Sequence, residues 1–130
     1  MISHPKKTRR RSYLISPLEP EAIEHGAPHL APFLGRSFVG LQGIQAYFEL
    51  LAKHLTYRNM CFSGYMADVE ERKVAVKGMA EFEWLATGNK WDATFVYVLD
   101  FDEQDKVKRY QVWADSGAAY PARMGELSCQ

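Results

Sequence analysis

The sequence predicts an α+β domain, one amphipathic helix followed by a meander of long antiparallel strands, and three observations carry that prediction. From Arg72 to Tyr120 three strand-like runs are joined by two tight turns. Between Arg72 and Trp84 the residues alternate, with Val74, Val76, Gly78, Ala80, Phe82 and Trp84 on one face and Lys73, Lys77, Glu81 and Glu83 on the other. Period-two alternation marks a strand with one buried face and one wetter face. Ahead of the strands, Leu41, Ile44, Phe48, Leu51 and Leu55 recur at helical spacing, and Gln42, Gln45, Glu49 and Lys53 take the other side. Such a helix buries one stripe, and packing it on the concave side of a curved sheet covers both apolar surfaces at once.

The remaining elements follow in chain order. Ser16 to Pro20 reads as irregular, with Pro17 and Pro20, and Glu21 to His25 as a short strand ended by Gly26 and Pro28. Gly26 to Gly40 reads as a long loop. Tyr57 to Asp68 is rich in aromatics and reads as a strand with a bulge at Gly64. Thr87-Gly88-Asn89-Lys90 is turn chemistry, and Trp91 to Asp100 is apolar enough to be expected buried on both faces, as a central strand. A second turn falls at Asp102 to Asp105. The last strand, Val107 to Ala114, puts Tyr110 and Val112 on one face and Arg109, Gln111 and Trp113 on the other. Asp115-Ser116 then starts a terminal helical turn that runs to Tyr120.

Length and charge narrow the function. At 130 residues the chain holds one domain. We expect residues 1–20 to be a basic, flexible segment, 21–122 the domain, and 123–130 a tail. Acidic and basic residues balance at 16 each, but Lys6, Lys7, Arg9, Arg10 and Arg11 stand together, which leaves 11 cations against 16 acids, about −5, elsewhere. A negative body argues against nucleic-acid binding. No apolar stretch approaches the roughly 18 residues of a membrane span, and the first residues lack the apolar region of a secretory signal. A soluble, cytoplasmic protein with no membrane partner is the expectation. Cys61 and Cys129 have no metal-type spacing and are expected as free thiols.

Three segments together resemble a known family. They are the loop Pro32-Phe33-Leu34-Gly35-Arg36-Ser37-Phe38-Val39-Gly40, the helix around Ile44 to Leu51, and the close Lys106-Val107-Lys108-Arg109-Tyr110-Gln111-Val112-Trp113-Ala114-Asp115. This order resembles the nuclear transport factor 2-like superfamily, and within it the SnoaL-like proteins, over about Glu21 to Tyr120. The resemblance implies a cone, a strongly curved antiparallel sheet with helices on its concave side and a mouth that takes a hydrophobic small molecule, often in a homodimer. Its members include polyketide cyclases, ketosteroid isomerases, limonene-epoxide hydrolases and epoxide-opening enzymes, besides non-catalytic binding modules. It also implies a long first helix that closes the cone. Here the residues before Glu21 are basic and then proline-interrupted, so that helix is expected to be short or missing, with apolar surface left for a partner subunit.

The candidate site residues come from the resemblance and from residue chemistry. A limonene-epoxide-hydrolase-like site needs one ionised and one protonated carboxyl, and aligning the closing strands puts Val112 where one of them would stand. His25, at the end of the first strand near the implied mouth, and Asp115, at the end of the last, are then the expected proton-transfer pair. For His25 a loop histidine bonded to backbone is the alternative; for Asp115 it is a helix cap. Phe82, Trp84, Tyr97, Tyr110 and Trp113 offer area for stacking on a ring system or else pack the core. Tyr65, Tyr97 and Tyr110 offer hydroxyl donors to a carbonyl or epoxide oxygen. Glu81 and Glu83 form a less favoured acid pair, expected to face away from the cavity and to pair with Lys73, Lys77 or a neighbouring strand. His25, His29 and Glu24 invite a metal, but Pro28 breaks any helix that would align them, and none is expected. No dinucleotide or phosphate motif is present. The expectation is cofactor-free acid–base chemistry, epoxide hydrolysis or cyclisation of a polyketide-like substrate, with isomerisation and non-catalytic binding as alternatives.

Overall fold

The computed structural model describes residues 14–114. The elements are β1 (Glu21–His25), a single 3-10 turn (Pro28–Leu30), β2 (Ser37–Val39), α1 (Gly40–His54), β3 (Leu55–Asp68), β4 (Lys73–Trp84), β5 (Lys90–Phe101) and β6 (Val107–Ala114). All six strands form one sheet in the order β2-β1-β6-β5-β4-β3. The predicted meander is β3 to β6, each strand antiparallel to the next. The sheet then continues with β1, which pairs in parallel with β6 and sets Ala22 beside Tyr110 and Glu24 beside Val112.

The sheet bends where its sequence permits. The bulge expected at Gly64 is present, with a positive φ there and a register shift between Ser63 and Met66; a second shift lies between Arg58 and Cys61, around Asn59 at φ 56°. A bulge adds a residue to one strand and increases the local twist. On β4, a Cβ at position 78 would stand 2.2 Å from the Phe95 ring, so glycine lets that ring lie directly on the neighbouring backbone.

α1 buries Ile44, Tyr47, Phe48 and Leu51 against the sheet. Leu41, expected on that stripe, is 43 % exposed, and Tyr47 takes its place. Leu55 belongs to β3 rather than to the helix but is buried all the same. Two further expectations are corrected. The loop from Gly26 to Gly40 contains a 3-10 turn and the short strand β2. β5 is not buried on both faces: Trp91, Ala93, Phe95 and Tyr97 point inward, whereas Asp92, Thr94 and Val96 are exposed. The reason is that among the described residues the helix covers one face of the sheet, and nothing covers the other at these positions. The second turn matches its chemistry, since Asp102 Oδ1 accepts from the backbone N–H groups of Gln104 and Lys106, and Asp105 turns at φ 61°.

Candidate functional site

Strand alternation decides which residues of β1 enter the space between sheet and helix. Ala22 and Glu24 share the inward face, so Ile23 and His25 face the other way. The loop after β1 folds back over its end. Leu34 bridges Glu24, and the Gly35 N–H donates to the Glu24 carbonyl at 2.9 Å. Gly35 sits at φ +69°, and a Cβ there would meet the Gly26 carbonyl oxygen at 2.6 Å, so only glycine lets the loop return this closely. That return brings Leu30, Ala31, Phe33 and Leu34 to one side of a cavity of about 60 Å3 open to atom centres. Leu51 from α1 and the inward residues of β4, β5 and β6 form the rest of its wall.

The cavity is apolar except at one end. There the Tyr47 hydroxyl donates to Glu24 Oε1 at 2.8 Å. Burial raises the Glu24 carboxyl from an ordinary 4.5 to about 7, and the Tyr47 hydrogen bond, which favours the ionised form, lowers it by less. Desolvation is the larger effect, and among the described residues no lysine, arginine or histidine lines the cavity to offset it. Tyr97 and Tyr110 complete this end, with ring centroids 5.2 Å apart, and Tyr110 lies 6.0 Å from Tyr47. Burial first, then neighbouring phenols and Glu24, hold Tyr47 and Tyr110 protonated well beyond the usual phenol range. The Tyr110 hydroxyl is buried and meets no partner at full hydrogen-bond geometry, and the Tyr97 phenol beside it is its nearest hydrogen-bonding and electrostatic neighbour. A buried hydroxyl in that state offers its hydrogen bond to whatever enters.

The other end is a run of aromatic plates. Phe33 stacks on Trp84, Trp84 on Trp91 at 5.4 Å and 26°, and Trp91 on Phe82 at 5.5 Å and 25°. Such a wall takes flat or apolar bodies and gives no hydrogen bond beyond what the indole N–H groups supply.

Of the expected site residues, the structure brings Phe82, Trp84, Tyr97 and Tyr110 into the cavity wall. His25 and Trp113 do not line it. They lie on the opposite face of the sheet, where the imidazole stacks on the indole at 4.0 Å and His25 Nε2 meets Gln111 Oε1 at 2.9 Å. The physical reason is register: His25 pairs with Trp113, and both are one residue out of step with the inward Glu24 and Val112. Tyr65, on β3 between Gly64 and the shifted register at Met66, is 69 % exposed and does not reach the cavity. Glu81 forms an ion pair with Arg58 of β3, and Glu83 stands opposite Lys90, both on the face away from the cavity. Asp115 lies outside the described residues, as do the basic run Lys6 to Arg11 and Cys129. Cys61 is an exposed free thiol.

Sequence reasoning missed Glu24 and Tyr47 as site residues. The available signals were the alternation from Ala22 on β1 and the spacing of Tyr47 from Ile44 and Leu51 on α1. Among the described residues no three metal-type side chains converge, and no helix is long and apolar enough to cross a membrane.

Neither a family model nor a curated protein matches the sequence. Solved structures do match in fold. A provisional isomerase from Rhodopseudomonas palustris aligns over 96 % of this chain and 99 % of its own, with a TM-score of 0.74 at 12 % identity. An NTF2-like protein from Burkholderia xenovorans aligns over 90 % and 83 %, with a TM-score of 0.72 at 16 % identity. A protein from Mycobacterium tuberculosis, solved in complex with estradiol-17β-hemisuccinate, aligns over 82 % and 80 %, with a TM-score of 0.64 at 13 % identity. At these identities the likeness is one of fold.

Proposed function

We propose that this chain, which has the nuclear transport factor 2-like fold, is an acid–base enzyme that moves a proton within an uncharged, largely apolar small molecule bearing a carbonyl, an isomerisation with Glu24 as the proton-transfer group. The observation that carries this reading is a carboxyl poised at about 7 at the polar end of an apolar cavity. A general base works best with a pKa near the working pH, because it is then ionised often enough to take a proton and basic enough to hold it.

In this mechanism the Glu24 carboxylate takes a proton from the carbon next to the substrate carbonyl. The C–H electron pair becomes a C=C bond and the carbonyl electrons move onto oxygen. The Tyr110 hydroxyl, with Tyr97 beside it, donates to that oxygen as its charge grows. Glu24 then returns the proton at a different carbon. No cofactor is required by this chemistry. The aromatic plates hold the substrate's apolar body, and the steroid ester bound in the Mycobacterium tuberculosis neighbour supports a hydrophobic ring as the substrate body.

Hydrolytic opening of an epoxide fits less well. It needs one ionised and one protonated carboxyl, and among the described residues Glu24 is the single carboxyl that lines the cavity, with Val112 inward beside it. Cyclisation, in which the substrate supplies its own nucleophile and one acid protonates the epoxide, keeps Glu24 in use and is the second reading. The test is conversion of cyclohex-3-en-1-one to its conjugated isomer. We expect turnover that Glu24→Gln lowers at least about 100-fold and Tyr110→Phe about tenfold. Absence of turnover, and of solvent deuterium uptake next to the carbonyl, sinks the isomerase reading and leaves a binding module.

A further inference from the structure

We propose that the cavity is also a binding site for a lipophilic organic cation, an aromatic amine in its ammonium form, with the ammonium on Glu24 and the ring against the aromatic wall. The reasoning starts from charge. Among the described residues Glu24 is the only one lining the cavity that carries a formal charge near neutral pH, and none of the others is lysine, arginine or histidine. A carboxylate desolvated without a counter-charge is costly. An anionic ligand would add to that cost and a neutral one would leave it, whereas an ammonium supplies the missing charge.

The hydrogen-bonding inventory agrees. Tyr47 occupies Glu24 Oε1, so the second carboxylate oxygen remains for an incoming N–H. The Tyr110 hydroxyl, 4 % exposed and without a partner in good geometry, has lone pairs to accept another. Aromatic side chains then complete the enclosure. Phe82, Trp84 and Trp91, at the end away from Glu24, offer flat surface to the ligand's ring, while Tyr97 lies beside Tyr110 at the Glu24 end.

The pH dependence has a definite sign. Among the described residues the titratable groups that surround Glu24 are Tyr47 from α1, Tyr97 from β5 and Tyr110 from β6, and burial holds Tyr47 and Tyr110 protonated beyond the usual phenol range. The residues that the loop after β1 adds, Leu30 to Leu34, do not titrate, and His25 is on the opposite face. Below pH about 7 Glu24 holds a proton that an ammonium must displace, so amine affinity rises with pH up to about 7 and then levels until the amine loses its own proton. This inference shares the cavity with the proposed isomerisation but does not rest on it. An amine that binds to a protein without isomerase activity removes that reading and leaves this one.

The experiment is isothermal titration calorimetry of the full chain with 2-phenylethylamine and with its neutral counterpart 2-phenylethanol. At pH 8 the amine should bind at least about tenfold more tightly than the alcohol. Near pH 7, runs in buffers of different ionisation enthalpy should show protons released by the amine and none by the alcohol. Glu24→Gln should abolish the preference of the amine over the alcohol. Equal affinity for the two probes, or a preference that survives in Glu24→Gln, overturns the proposal. If that variant fails to fold, proton release by the unsubstituted protein decides, and amine binding without it overturns the proposal equally.

Discussion

The two faces of the sheet carry opposite chemistry. The face under α1 and the loop collects Phe82, Trp84, Trp91, Phe95, Tyr97 and Tyr110 around one carboxyl and, among the described residues, no cation. The other face is laced with charge. Lys73 pairs with Asp100, Asp100 stands opposite Arg109, and Arg109 pairs with Glu21, so sign alternates across β4, β5, β6 and β1. Met79, Val96 and Trp113 are exposed between these charges. An ionisable group is therefore paired with its opposite on one face and desolvated on the other. Glu24 and His25 are chain neighbours, yet strand alternation alone puts one in a desolvated cavity and the other against a half-exposed indole.

The comparison breaks first on packing. Phe95→Ala empties a ring that lies on Gly78 and against Phe82 and Tyr97, and should cost about 3–5 kcal/mol, whereas its chain neighbour Val96→Ala, on the open face, should stay within about 0.5 kcal/mol. Chemical denaturation measures both, and similar losses would mean that the two faces are equally packed. On the proposed isomerisation, Glu24→Gln should lose at least about 100-fold in turnover, while His25→Ala should remain within about threefold. A large loss at His25 would return the site to the opposite face.

The next prediction concerns stability against pH. Glu24 binds its proton more tightly folded, at about 7, than at the ordinary 4.5 of an unfolded chain. Between those values the native state holds more protons than the unfolded one, so this group's contribution to stability falls as pH rises from 4.5 to 7 and is flat above. Glu24→Gln should remove that slope, and the stability of the variant relative to the parent should grow over the same window. Tyr47→Phe deletes the donor that favours ionised Glu24 and should move the acidic limb of the activity profile, where Glu24 takes up its proton, to higher pH. The smallest effect belongs to the exposed pair Arg58–Glu81. Arg58→Ala should cost about 0.2–1 kcal/mol at low salt and less as salt is raised.

The parts of the fold that local periodicity controls could be read from the sequence. β4 shows clean alternation, α1 shows its stripe, and Asp102 to Asp105 shows its turn chemistry. What could not be read depended on contacts distant in sequence. β5 looks buried on both faces because Val96 and Val98 are apolar, but the open face leaves Val96 exposed. β2 is three residues long, too short for any pattern. The site was legible in its walls, Phe82, Trp84, Tyr97 and Tyr110, and not at its centre. Five residues of β1 contain two inward positions, and their direction is fixed only by the pairing with β6. The alternation on β6 already separated Tyr110 from Trp113, and that separation alone argues that the two cannot line one cavity.

The parallel pairing of β1 with β6 also orders events in time. His25 and Gln111 are 86 positions apart, and Glu21 and Arg109 are 88, whereas β3 to β5 pair through short turns. Contacts that close so long a stretch of chain form late, because the entropy of closure is met before the contact stabilises anything. During synthesis the pairing of the first strand with the last must therefore wait, and the carboxyl meets the Tyr110 hydroxyl only when β6 has emerged.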